Sequence, residues 1–246
     1  MNGTTLTLGL MGALAAGAVL GRRGSAAWAG NGYGGTLRPT VYDAGEGAKV
    51  VAAGGVLHGW DRYAQLVSEA YMRAPKRTLE GERAFRSLES HIVSMFKRIE
   101  SKVRVEFTEQ DPYASAQQMN RQIRRTGTLK VYAGDNQPQA WSDPEVNLMF
   151  RAVHDYAAHL GSMGRGDIRH FTYKGELQAY NKHLNLIGPS SLGAAALFTE
   201  VVGQVSHYWH TGEFVGQKVV LMPQFNHVRL GEVRGYKISD GDLVPA

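Results

Sequence analysis

The chain contains no cysteine. Disulfide bonds, thiolate nucleophiles and cysteine-based zinc sites are therefore excluded, which leaves histidine and carboxylate side chains as the strong metal ligands. The sequence also lacks a phosphate-binding loop, a dinucleotide fingerprint, a serine-nucleophile elbow and a kinase signature set. A catalytic centre in this chain would therefore have to be built from histidine, aspartate and glutamate.

The chain also has little excess charge. Its formal net charge is +5 over 246 residues, and the basic residues are scattered apart from short clusters such as Arg121 to Arg125. We find no zinc finger, helix-turn-helix pattern or RNA-binding aromatic signature, so a nucleic-acid-binding module ranks last among our hypotheses. The hydrophobic content of 43% and charged content of 20% are typical of a globular protein with one ordinary core.

The N-terminal region differs in composition from the rest. Residues 6–20 form an uncharged run rich in small residues, and as a helix this run would be about 22 Å long, shorter than the roughly 30 Å hydrocarbon core of a membrane. Arginines follow the run instead of preceding it, which favours membrane contact or helix packing over a cleaved signal. We therefore predict an apolar segment with a glycine-rich linker over residues 1–58, making few contacts with a helical domain over residues 59–246.

The remaining pattern is that of a mainly helical α+β single domain with a small β-sheet. Apolar residues at helical spacing predict helices at about 60–74, 79–101, 114–125, 144–161, 174–187 and 190–211. Alternating residues predict strands at 103–107 and 129–133, with 218–222 as a third strand or a buried extended segment. The apolar face of the first strand is predicted to consist of Val103, Val105 and Phe107.

Three of these helices combine histidine with an oxygen ligand at helical spacing. The combinations are Asp155 with His159, Glu176 with His183, and Glu200 with Gln204 and His207. At about 100° per residue, spacings of four and seven return a side chain to nearly the same helix face. Such nitrogen and oxygen ligands suit a divalent zinc, manganese or iron ion. We therefore predict that these stripes converge on one metal site.

Each member of the predicted site also has a structural interpretation. Asp155 and His159 could simply form the polar face of a helix, and Glu176 could be favoured at a helix start by the helix dipole. Glu200 is harder to explain in this way, because a carboxylate in an apolar helix needs a partner or a metal ion. His154 lies about 140° from His159 on an α-helix and is therefore expected at the edge of the site.

The ordered motifs resemble those of an uncharacterised family found in tailed-phage genomes and bacterial mobile elements. They run through residues 110–223 in the order DPYASAQQM, TLKVYAG, FRAVHDYAAHL, GELQAYNKH, FTEVVGQ and GEFVGQKVVLMP. The resemblance implies one shared site containing His154, Asp155, His159, Glu176, His183, Glu200 and Gln204. This chain departs from the family pattern at Ala158, Leu177 and Val202, and the last of these replaces an arginine that could hold a phosphate or carboxylate.

Two functional hypotheses follow from these observations. The first is a phage-encoded, metal-binding protein acting as a metal-dependent hydrolase. Its metal ligands would be His154, Asp155, His159, His183 and Glu200, and its catalytic residues would be Glu200, as general base, and Glu176.

The alternative is a non-enzymatic virion component, internal or ejected, in which residues 6–20 engage a membrane or channel. Its partners would be other virion proteins, and the histidine and carboxylate cluster would serve only the core. The expected location is the phage virion or the host cytoplasm.

Overall fold

The computed structural model describes residues 45–113, 115–134, 136, 140–160, 172–213, 215–240 and 242–245. Its α-helices are α1 (Glu46–Ala52), α2 (Gly59–Arg73), α3 (Leu79–Glu100), α4 (Ala116–Thr126), α5 (Pro144–Val153), α6 (Tyr173–Ile187), α7 (Leu192–Leu197) and α8 (Gln204–Thr211). Two π-helical segments continue these helices: the first, His154–His159, extends α5, and the second, Phe198–Gly203, joins α7 to α8. With two small sheets, this architecture confirms the predicted mainly helical α+β fold.

Local sequence signals set several helix ends. The Thr78 side chain accepts a hydrogen bond from the Gly81 amide at 3.1 Å and begins α3. Asp143 accepts one from the Glu145 amide at 2.7 Å, and Pro144 occupies the first turn of α5. Both arrangements satisfy amide groups that have no partner within the helix. Gly127 ends α4 in a left-handed conformation with φ of 67°, as its position in the sequence predicts.

Helix packing places α6 at the centre of the candidate site. Helix α6 contacts both the first and the second π-helical segments, while α3 packs against α5 and α7. Close approach of α7 to α3 depends on Gly193, because a β-carbon there would lie 2.9 Å from the Leu88 amide nitrogen. A continuous hydrophobic core lies between these helices, so the polar groups that α6 and the π-helical segments carry are surrounded by apolar side chains.

The first sheet contains β1 (Arg104–Thr108) and β2 (Thr128–Tyr132), which pair in parallel and are connected through α4. Both strands were predicted, and Leu129 and Val131 of β2 are fully buried. The predicted apolar face of β1 is wrong at Phe107, which is 42% exposed and stacks on Phe96. The buried face of this two-stranded sheet comes mainly from β2.

The third apolar run does not join this sheet. Val219 instead forms an isolated parallel bridge with Arg77, and its carbonyl accepts a hydrogen bond from the Thr78 amide at 2.9 Å. The segment passes so close to α3 that a β-carbon at Gly81 would collide with the Val219 carbonyl. Of the two predicted alternatives for residues 218–222, the structure therefore has the buried extended segment.

A second sheet was not predicted. Strands β3 (Tyr236–Ser239) and β4 (Asp242–Pro245) form an antiparallel hairpin near the C-terminus. Asp240 has a positive φ of 50°, a conformation that short polar side chains tolerate in turns. The Asp-Gly pair at 240–241 in the sequence is a hairpin signal that could have identified this element.

The chain from residue 45 to 58 contacts the domain near its two ends. The Gly45 amide donates to the Tyr208 carbonyl at 3.3 Å, and Gly47 lies directly against Trp209 and His210. Leu57 belongs to the hydrophobic core. The expectation that the chain up to residue 58 stays apart is therefore wrong for residues 45–58, because Gly47 lets α1 approach α8 closely and Leu57 supplies an apolar anchor.

The remainder of the predicted N-terminal segment, including the run at residues 6–20, lies outside the described residues. Within the part of the chain that the structure describes, no helix combines the length and apolar character needed to cross a membrane.

Candidate metal centre

A π-helical segment brings His154 and His159 to the same side of their helix. In a π-helix each amide bonds to the carbonyl five residues earlier, so side chains five positions apart come close together. The segment runs from His154 to His159, and the two imidazole rings meet edge to face with centroids 4.8 Å apart. The expectation that His154 lies at the edge of the site is wrong, because it assumed the 100° rotation of an α-helix.

Glu176 lies between these two histidines. Its Oε2 atom is 3.1 Å from Nε2 of His154, and its Oε1 atom is 3.3 Å from Nε2 of His159. The two histidines and the carboxylate each offer a ligand atom within 4.8 Å of the others. All three side chains are buried, with His159 at 0% and Glu176 at 1% exposure. We refer to His154, His159 and Glu176 as the triad.

The triad has the dimensions and donor set of a metal site. Ligands about 2.0–2.1 Å from a tetrahedral zinc ion lie roughly 3.3 Å from one another, close to the two nitrogen–oxygen distances within the triad. Two imidazoles and one carboxylate also suit manganese and iron. Three protein ligands leave at least one coordination position for water or substrate, as in catalytic rather than structural zinc sites. The triad can therefore hold a divalent ion.

The charge of Glu176 is maintained by its neighbours. Burial by itself would raise the pKa of this carboxyl, but His159 and His154 lower the pKa to about 2 through charge and hydrogen bonding. Glu176 is consequently an anion at neutral pH despite being enclosed in the core. An anionic carboxylate between two imidazoles is the state that a metal ligand requires.

Asp155 is adjacent to the triad but is not a member of it. Burial raises its pKa to about 7, the charge of His154 opposes this increase, and the charge of Glu176 adds to it. Its charge is thus coupled to two triad residues, although it is absent from the group whose ligand atoms lie within 4.8 Å. Asp155 was predicted as a metal ligand, and the structure instead places a second carboxyl group beside the ligands.

His183 lies next to His154. The centroids of the two rings are 6.0 Å apart, and His183 also stacks on Phe150 at 5.8 Å. Burial and the charge of His154 hold its pKa well below the usual value, so the ring is neutral at pH 7. Neither ring nitrogen has a hydrogen-bond partner among the described residues. His183, predicted as a ligand, therefore neighbours the triad with both nitrogens available.

Glu200 has different partners. It lies in the second π-helical segment, and its Oε1 atom accepts a hydrogen bond from Nε2 of Gln217 at 2.6 Å. Burial raises its pKa to about 8 even though Gln217, Gln204, Arg151 and Trp141 all favour the ionised form. Glu200 is mostly protonated at neutral pH and does not belong to the triad, so the structure does not unite the two predicted catalytic glutamates in one ligand group.

Two residues near Glu200 were not identified from the sequence as site residues. Gln217 donates to Glu200, and Arg151 is a buried cation whose charge acts on both Glu200 and Asp155. Both positions lie inside motifs that carry the family resemblance, FRAVHDYAAHL and GEFVGQKVVLMP. Their positions in these motifs could have identified them. They were not selected because neither glutamine nor arginine is a usual metal ligand.

The third predicted stripe does not reach the triad. His207 pairs with Ser68, whose Oγ lies 3.0 Å from the histidine Nδ1, and its Nε2 lies 3.3 Å from the Thr211 hydroxyl. Burial, with His210 and Lys218 nearby, lowers the pKa of His207 to about 4. His207 is thus a buried histidine with hydroxyl partners at the α2–α8 contact.

Comparison with known proteins adds no relative: no family model, curated protein or solved structure matches this chain.

Proposed function

We propose that this protein is a metal-dependent hydrolase in which His154, His159 and Glu176 hold one divalent ion. The observation that carries the proposal is the enclosed triad, whose two imidazoles and anionic carboxylate lie at ligand-to-ligand distances. Glu176 hydrogen-bonds to His154 and lies within ion-pair distance of His159, and binding of an ion would replace these contacts. A bound ion would supply Lewis-acid activation of water or of a substrate carbonyl or phosphoryl oxygen.

In this proposal Asp155 transfers the proton. It is the buried carboxyl group whose charge is coupled to both His154 and Glu176, whereas Glu200 interacts with Gln217 and Arg151. A carboxyl group beside the metal ligands can accept a proton from water or return one to a leaving group. In this proposal Glu200 is a structural residue of the core. Glu176, which the sequence predicted to be catalytic, is a metal ligand.

Metal binding is tested on the full chain after treatment with a chelator. Zn²⁺, Mn²⁺ and Fe²⁺ are added in competition with an indicator of known affinity, and the stoichiometry is measured by elemental analysis. We expect one ion per chain and a loss of about a hundredfold or more in affinity for His159→Ala and Glu176→Gln, since a lost ligand costs at least as much as a lost outer partner. His207→Gln is the matched control, because His207 is equally buried but lies away from the triad.

Hydrolysis is tested separately on the metal-loaded protein with chromogenic carboxylic esters, phosphate esters and peptide amides. We expect turnover of one substrate class to require the metal and to fall in Asp155→Asn while metal affinity is retained. A stoichiometric ion without turnover of any class would reject the hydrolase and leave the metal site. A folded chain that binds none of the three ions would reject both.

The second candidate is a non-catalytic protein, and the contacts within the triad favour it. Glu176 already pairs with both histidines, so the triad can serve as a buried polar network or as an ion-stabilised part of the core. The sequence resemblance to a phage family supports placing such a protein in the virion. Mass spectrometry of purified virions from a host strain carrying the gene tests this location. Absence of the protein from the particle would reject the virion proposal.

A further inference from the structure

An open cleft of about 550 Å³ lies between α3, α4, α6 and the first π-helical segment. Its volume falls within the range of about 300–1,000 Å³ that is typical of small-molecule sites. Met95, Ile99, Ile123, Leu160 and Leu186 provide its apolar surface. The triad residues are not part of the lining, so this cleft is a separate site and does not depend on the proposed hydrolase.

The charged residues of the cleft all have the same sign. No aspartate or glutamate is present among its described lining residues. Four basic residues line it: Arg98, Lys102, Arg124 and Lys182. Three of the four, Arg98, Lys102 and Lys182, form no salt bridge with a carboxylate in the described ranges. The fourth, Arg124, donates its Nε proton to the neutral amide oxygen of Asn120 at 3.2 Å. A concave surface lined by one sign of charge concentrates ligands of the opposite sign.

The apolar part of the lining is aliphatic. Tyr156 is the one aromatic residue among the described lining residues, whereas proteins that bind single-stranded nucleic acids use several aromatic side chains to stack the bases. Aliphatic side chains favour binding of a hydrocarbon chain, because removal of its apolar surface from water lowers the free energy and requires no particular geometry. Residues 1–42 contain no aspartate or glutamate, so this part of the chain offers no anionic side chain to the cleft.

We propose that this cleft binds a free, single-chain amphipathic anion, with its aliphatic chain on the Ile99, Ile123 and Leu160 side chains. Its carboxylate or phosphate head would contact the basic residues at the rim, Lys102 and Lys182 among them. Arginine and lysine both form charge-assisted hydrogen bonds with such heads. The site requires both halves of the ligand, because neither exposed cations nor an open aliphatic surface alone hold a small molecule tightly.

The test measures binding of dodecanoate and dodecyl phosphate to the full chain by calorimetry, below their micelle concentrations. We expect one molecule per chain, and binding weakened about tenfold or more by Lys102→Glu, Lys182→Glu and Leu186→Asn. Arg86→Glu is the matched control, since Arg86 is an exposed cation on α3 outside the cleft. Circular dichroism establishes that each variant is folded, and the exposed positions of Lys102 and Leu186 make them tolerant to change.

Three comparison ligands decide what the cleft recognises. Dodecyltrimethylammonium has the same chain with the opposite charge, inorganic phosphate has the head alone, and an oligothymidylate is a polyanion without an aliphatic chain. We expect all three to bind at least about tenfold more weakly than dodecyl phosphate. Equal binding of the cationic amphiphile, or tighter binding of the oligonucleotide at these same residues, would overturn the proposal. So would equal weakening by Arg86→Glu and Lys102→Glu.

Discussion

Glu176 and Glu200 are two buried glutamates on neighbouring helical elements, yet they differ in charge at neutral pH. Glu176 faces two imidazoles and has a pKa of about 2, whereas Glu200 is held mainly by neutral amide groups and has a pKa of about 8. Burial raises the pKa of both, so the difference comes from the partners. A buried acid is ionised where imidazoles face it, and stays protonated where its partners are mainly neutral amides.

The largest expected effect is on Glu176. Glu176→Ala in the metal-free protein removes the common partner of His154 and His159 and leaves two buried imidazoles without it. Breaking a buried pair in this way costs roughly 3–5 kcal/mol in the free energy of unfolding. Urea denaturation at pH 7 measures this quantity. A loss below about 1 kcal/mol would mean that the triad contacts contribute little to the fold.

Removing the carboxylate of Glu200 should increase the free energy of unfolding, in contrast to the loss expected at Glu176. The folded pKa of about 8 lies above the ordinary value of 4.5, so the folded state holds a proton that the unfolded state releases between these values. Stability of the natural protein therefore falls as the pH rises from about 4.5 to about 8. Glu200→Gln keeps an oxygen that can accept the Gln217 hydrogen bond and carries no such penalty.

We expect Glu200→Gln to match the natural protein near pH 4 and to exceed its unfolding free energy by a few kcal/mol, on the order of the pKa shift, above pH 8. Denaturation in chelator at several pH values measures the difference. A stability difference that does not change with pH would contradict the assignment of a raised pKa to Glu200.

The stability contributed by Glu176 should depend on pH in the acid range. The folded pKa of Glu176 lies below the ordinary value of 4.5, so its contribution is present above pH 4.5 and is lost as the pH falls towards 2. The stability advantage of the natural metal-free protein over Glu176→Gln should shrink by roughly 3 kcal/mol across this range. Denaturation of both proteins between pH 5 and the lowest accessible pH measures it; a constant difference would contradict the prediction.

The smallest expected effect concerns Gln217. Gln217→Leu removes the donor to Glu200 Oε1 and the acceptor of the Ala140 amide, but leaves the burial of the Glu200 carboxyl unchanged. The pKa of Glu200 should rise further, and the free energy of unfolding should fall by about 2 kcal/mol at pH 7, as for two lost hydrogen bonds. A double variant that also carries Glu200→Gln completes a double-mutant cycle, which gives the interaction free energy between the two side chains. Purely additive losses would show that the two side chains do not act together.

The helices and first sheet were predictable because their signals are local. Side-chain oxygens of Thr78, Ser115 and Asp143 cap their helices, and strands β1 and β2 coincide with the predicted strands. The packing of residues 45–58 was not predictable in this way. Their glycines resemble a linker, and the close approach of Gly47 to Trp209 and His210 depends on tertiary contact.

For the site, the sequence by itself determined the chemistry that is available. Without cysteine, histidines and carboxylates are the residues from which a metal site could be built, and the candidates predicted from the sequence all lie within residues 154–207. Their grouping was decided by the tertiary structure. A π-helical turn aligns His154 with His159, and α6 brings Glu176 against both, while Asp155 and His183 are neighbours and Glu200 and His207 pair elsewhere. The physical reason is that a one-residue change in helical repeat rotates every later side chain, and this change depends on packing that no local pattern records.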